Sequence, residues 1–98
     1  MFHVKTFVMD TEKGAALKPL EEAAEVYGMW QEIDGCGAPE QCGKQCELVD
    51  NCETRVEFAD EIADCVQACC NLAARYGVDL EDAMRRCEER NRRRGRYK

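Results

Sequence analysis

Between Thr54 and Gly77 the apolar residues recur three and four apart: Phe58/Ala59, Ile62/Ala63, Cys65/Val66, Cys69, Leu72/Ala73 and Tyr76. That spacing is one face of an α-helix and does not suit a strand. Thr54 followed by Glu57 has the spacing of a capping box, and Gly77 suits the position just past a helix end. Upstream, AALKPLEEAAEVYGMWQEI follows Gly14 and is rich in helix formers. Pro19 is tolerated in a first turn, which predicts a helix start between about Ala15 and Lys18. Asp34-Gly35 predicts its stop. Downstream, Asp79 is the expected cap of a third helix from Leu80 to about Arg94, with Leu80, Ala83/Met84 and Cys87 inward and Gly95 ending it. Val4, Thr6 and Val8 give only a weak alternation. The chain is therefore expected to be all-α.

At 98 residues and 11.2 kDa there is room for one domain, spanning 1–98. Its expected parts are an extended arm (1–13), the helices, an inter-helix loop (35–53) and a short basic tail (95–98). A chain this short hides only roughly 60–65% of its unfolded surface. Three amphipathic helices each need a cover, so a helical bundle completed by oligomerisation is the natural architecture, as a homodimer or homotetramer. No apolar run approaches the roughly 18 residues of a membrane span. Met1-Phe2-His3-Val4-Lys5 does not open a signal peptide, so a cytoplasmic location is expected.

Eight cysteines is a high count, and in a secreted chain it would read as a disulfide scaffold. Cys36, Cys42, Cys46 and Cys52 crowd the 35–53 loop. Only Cys42-x3-Cys46 has the spacing of a zinc-ligand pair, so free thiols, a disulfide and zinc all stay open there. Cys65, Cys69, Cys70 and Cys87 lie on or near apolar helix faces and are expected to be small buried hydrophobes.

The net charge of −6 is unevenly spread. From Arg85 to Lys98 eight basic groups face only Glu88 and Glu89, while the first 84 residues hold 18 acidic groups against six basic ones. An acidic body collects cations, and a basic end collects phosphates or nucleic acid.

The acidic residues are also patterned. Glu22 with Glu25, and Glu61 with Asp64, are spaced three apart, so each pair shares one helix face. At roughly 100° per residue the apolar arc of the first helix takes in Ala23, Val26, Trp30 and Ile33, with Glu22 at its edge. Glu61 sits at the rim of the second helix's arc, beside Leu72. If these helices pack antiparallel, four carboxylates converge. Their mutual repulsion is relieved by a hard divalent cation, and an all-oxygen donor set favours Mg²⁺ or Mn²⁺ over Zn²⁺. Solvated glutamate faces are the ordinary alternative for either pair taken singly.

EEAAE at 21–25 followed by EIAD at 61–64 resembles the EExxE…ExxD signature of the MazG-like, all-α nucleoside triphosphate pyrophosphohydrolases, a superfamily that includes the dimeric dUTPases. The surrounding LKPLEEAAEVYGMWQE, FADEIADCVQACCNLAARYGVD and CEERNRRRGRY are similar to small phage or prophage members, over roughly residues 15–97. The resemblance implies hydrolysis of a nucleoside triphosphate between its α- and β-phosphates, in a bacterial or phage-infected cell. It implies that Glu22, Glu25, Glu61 and Asp64 hold Mg²⁺, with Mn²⁺ as a substitute, and that Glu21 orients the attacking water. It sets Arg90, Asn91 and Arg94 where phosphate-binding side chains fall. The 35–53 segment is longer and richer in cysteine than the family usually carries.

Two further residues are candidates for the nucleotide. Asn71, seven after Asp64, is placed to read a base edge, or is a surface asparagine. Trp30 is placed to stack on a base, or belongs to the core. The competing function is a non-enzymatic binding module, with the basic end on nucleic acid or the cysteine loop on a metal. Against nucleic acid stand the acidic body and the absence of aromatics among the arginines, so it is the less expected partner.

Overall fold

The computed structural model describes residues 3–36 and 53–97. It is all-helical: α1 runs Glu12–Cys36, α2 Glu53–Arg75 and α3 Leu80–Arg93, and the described residues include no strand. No helix among them is long and apolar enough to cross a membrane.

α1 begins a turn earlier than Pro19 suggests. The Thr11 hydroxyl accepts from the Gly14 amide at 2.9 Å and the Thr11 carbonyl from the Ala15 amide at 3.0 Å, which caps a helix opening at Glu12. Glu12 in the first turn favours the same start through the helix dipole. Pro19 therefore lies inside α1, where it supplies no amide to the turn before it. α1 also continues through Asp34-Gly35 to Cys36. Thr54, expected as a cap, is already helical because α2 opens at Glu53.

The other boundaries follow local chemistry. The amides of Gly77 and Val78 return to the carbonyls of Ala74 and Ala73, at 3.2 and 2.9 Å, and φ at Gly77 is +65°. This closure needs a left-handed residue, which is why glycine stands there. The Asp79 carboxylate then accepts from the Asp82 amide at 3.0 Å and starts α3. α3 ends as α2 does, with Gly95 at φ +72° and the Gly95 and Arg96 amides bonded back to Arg92 and Asn91.

Residues 3–9 form an extended arm that lies on α2 of the same chain. Gln67 Nε2 donates to the Lys5 carbonyl at 2.9 Å, the Phe7 amide to Asn71 Oδ1 at 3.0 Å, and Arg75 to the Met9 carbonyl at 2.8 Å. Gln67, Asn71 and Arg75 are four apart and make one stripe, so arm and helix run in the same direction. The arm thus delivers α1 to the C-terminal end of α2, and α1 returns antiparallel along it.

The packed unit is α1 on α2. Ala15 and Ala68 are the apolar residues buried there, small enough to let the backbones approach. Val26, Met29 and Ile33 of α1 and Phe58, Cys65 and Leu72 of α2 are half-buried around them. α3 buries no residue. Cys69 is exposed and Cys65, Cys70 and Cys87 are half-buried free thiols, so the expectation of buried cysteines fails most clearly at Cys69. Cys42, Cys46 and Cys52 lie outside the described residues, and so does most of the 35–53 loop.

Candidate metal centre

Ala15, Lys18, Glu22, Val26, Met29 and Ile33 fall on one side of α1, and this side faces α2. Glu22 is therefore central to the interface and only 6% exposed, rather than at the rim of an arc containing Trp30. Trp30 is 43% exposed and stacks on Tyr27, ring centroids 5.6 Å apart. The misplacement has a simple cause. Hydrophobicity alone centres the buried arc on Trp30, whereas in the structure the interface is built around a carboxylate.

Across from Glu22, α2 presents Glu61, half-buried, and Asp64, exposed. One carboxylate oxygen from each of Glu22, Glu61 and Asp64 lies within 4.8 Å of the others. Two of the group's oxygens, Glu22 Oε2 and Glu61 Oε2, are buried with no hydrogen-bond partner. Orphaned buried acceptors cost about 1–3 kcal/mol each, so they are rare unless something outside the chain satisfies them. Glu25, one turn on from Glu22, joins the group: hydrogen bonding with Glu61 and then with Glu22, plus the charge of both, pushes its carboxyl up to about 7. The structure thus brings Glu22, Glu61 and Asp64 together, with Glu25 beside Glu61 and Glu22.

One cation already leans on this group. Lys18 Nζ is 3.1 Å from Glu22 Oε1 and 3.6 Å from Glu21 Oε2. The hydrogen bond to Glu22 and its charge raise the Lys18 ammonium above the usual lysine range. Lys18 was not among the residues expected at the site. Its signal was present as K-x-x-E-E, which sets a lysine three and four before two acids and hence on their face.

The remaining candidates sit elsewhere. The Glu21 carboxylate is largely exposed beside Lys18 and is not part of the converged group. Asn71 is 5% exposed, so it is no surface residue. Its side-chain oxygen accepts from the Phe7 amide and from Gln67 Nε2 at 2.8 Å, which spends that oxygen on the arm. Arg90 and Arg94 are exposed on α3, and Asn91 is half-buried with its amide 3.6 Å from Cys87 Sγ. Their neighbours Arg85 and Arg86 pair with Asp82, and Arg92 and Arg93 with Glu88 and Glu89, all within α3. Cys69 is exposed, yet partial desolvation against the helix and then the neighbouring Cys65 raise its thiol above the ordinary range.

An all-oxygen group with two unsatisfied buried acceptors suits a hard divalent cation such as Mg²⁺ or Mn²⁺ and offers nothing to a soft one. Compared with protein-family models, curated proteins and solved structures, the chain has no significant match in any of the three.

Proposed function

We propose that this chain is a Mg²⁺-dependent nucleoside triphosphate pyrophosphohydrolase of the MazG-like type, cleaving between the α- and β-phosphates. The observation that carries the reading is the meeting of Glu22, Glu61 and Asp64 across α1 and α2, with buried oxygens that no protein donor satisfies. The EExxE…ExxD resemblance supplies the reaction class.

In this reading Glu22, Glu25, Glu61 and Asp64 hold Mg²⁺, and Mn²⁺ can replace it. The ion, when bound, supplies neutralisation of polyphosphate charge and a more acidic water. The chain's own contribution is positioning. Glu22 and Glu61 are fixed by packing between the helices, so their oxygens need little reorganisation on binding. The Glu25 carboxyl, on which Glu61 and Glu22 favour a proton, would give that proton up to a divalent ion bound there. Glu21, at the solvent edge beside Lys18, is the residue assigned to orient water. Arg90, Asn91 and Arg94 are assigned to phosphate contacts, and Trp30 with Tyr27 to an aromatic platform for a base.

A second copy of the chain completes the assembly. Leu17 and Leu20 are 43% and 69% exposed on the side of α1 turned away from α2, and α3 has no buried residue. A helix left apolar on its outer face, in a chain with so small a core, is suited to burial against another subunit.

The reading is tested by incubating the purified chain and Mg²⁺ with canonical and modified nucleoside triphosphates, and identifying products by mass spectrometry. A monophosphate with pyrophosphate is expected. Glu61→Ala should abolish turnover and leave the helical content intact. Failure to turn over any substrate, with folded protein, contradicts the reading.

A further inference from the structure

Lys18 is the feature of the site that the proposed function leaves unexplained. Its ammonium is 3.1 Å from Glu22 Oε1, which is direct charge-assisted contact, and 3.6 Å from Glu21 Oε2. Glu22 is also one of the three residues whose oxygens converge within 4.8 Å, and its other oxygen is buried without a donor. The same carboxylate therefore serves a lysine on one oxygen while its other oxygen is buried without a donor. Lys18 itself is part-exposed, its side chain at 41%, so its four-carbon stem is free to swing.

We propose that Lys18 is a built-in counter-cation: it holds Glu22 while the acidic group is without an ion, gives the carboxylate up to an arriving divalent cation, and then takes an oxygen of the polyphosphate. This inference rests on the function proposed above. Two physical reasons carry it. Converged carboxylates that no cation neutralises repel one another, and an ammonium in contact with the most buried of them offsets that repulsion. A divalent ion at the same carboxylate meets a positive charge only a few ångströms away, so one of the two must withdraw. Because α1 tethers Lys18 one turn from Glu22, withdrawal leaves the ammonium beside the ion, within reach of any anion the ion holds. A lysine is suited to that work as a mobile point charge with three donors.

The test compares wild type, Lys18→Met and Lys18→Arg, using Mn²⁺ as the metal probe and inorganic pyrophosphate as the anion probe. Bound Mn²⁺ is counted by electron paramagnetic resonance, and pyrophosphate affinity is measured by calorimetry on Mn²⁺-loaded protein. Circular dichroism checks that all three chains are equally helical. Removing a unit charge this close to the ion should tighten Mn²⁺ binding by about fivefold or more in Lys18→Met. Pyrophosphate should bind loaded Lys18→Met about tenfold more weakly than wild type. Lys18→Arg, which keeps the charge, should stay within about twofold of wild type for Mn²⁺. Wild type that binds Mn²⁺ while Lys18→Met shows no tightening, or no loss of pyrophosphate affinity, overturns the role of Lys18 and leaves the metal centre standing. Wild type that binds no Mn²⁺ overturns both.

Discussion

Glu22 of α1 and Glu61 of α2 point carboxylates at each other across the helix interface, and each carries one buried oxygen with no hydrogen-bond donor. A packed interface normally excludes such groups or pairs them. Their presence at the centre of the only extensive helix–helix contact among the described elements means that this site is kept at a cost to stability.

That cost is measurable at Glu61. Glu61→Gln replaces an orphaned acceptor with an amide able to donate to the neighbouring carboxylates, and removes one negative charge. In chelator, the variant should be more stable than wild type by about 1–2 kcal/mol in urea unfolding. An unchanged or lower midpoint would show that Glu61 is not strained by its neighbours.

Glu25 sets a pH dependence. Its carboxyl is held at about 7 by Glu61 and Glu22, against a usual value of 4.5. Between those values the unfolded chain has released the proton and the folded chain retains it, so the folded state binds more protons and stability falls as pH rises. Above about 7 the contribution is flat. Melting temperatures of metal-free protein should decline across that window in wild type, and the decline should be shallower in Glu25→Gln. Equal slopes would remove Glu25 from the acidic group.

Asn71 bridges the arm and α2 through its side-chain oxygen. Asn71→Ala should cost about 2 kcal/mol, since it leaves the Phe7 amide without its acceptor. Hydrogen exchange at Phe7 should become fast, while Asn71→Asp, which keeps an acceptor oxygen, should preserve protection. Retained protection in Asn71→Ala would mean that the arm is held by other contacts.

Asp79 caps α3 through the Asp82 amide. Asp79→Ala should cost about 1 kcal/mol, and Asp79→Asn much less. Amide exchange in the first turn of α3 reads the difference. α3 buries no residue, so packing has little with which to compensate the lost cap.

The three helices were legible because their signals are local. The apolar spacing of α2, the Asp79 cap and the glycines at 77 and 95 each act within a turn or two. The four acidic positions were legible for the same reason, since spacing three apart sets two side chains on one face. What sequence alone misjudged depends on packing. Trp30 pulls a hydrophobic arc toward itself, but the interface selected the small Ala15 and the carboxylate of Glu22 and left the ring outside. Pro19 marks a first turn when read alone, yet the Thr11 cap sets the start of α1 earlier. Asn71 shares a helix face with Asp64, but its partner is the backbone of the arm, far away in the chain. A lysine before two glutamates is ordinary helix chemistry, and only the burial of Glu22 sets Lys18 apart.

The central claim is that Glu22, Glu25, Glu61 and Asp64 form one site for a hard divalent ion. Titrating metal-free protein with Mn²⁺, and following the loss of the free-ion signal by electron paramagnetic resonance, tests it most directly. Saturable binding at stoichiometric ratio in wild type, lost in Glu61→Ala at unchanged helicity and displaced by excess Mg²⁺ but not by K⁺, is the predicted result. A wild-type chain that leaves Mn²⁺ free at millimolar concentration, or a Glu61→Ala chain that binds it equally well, would contradict the claim.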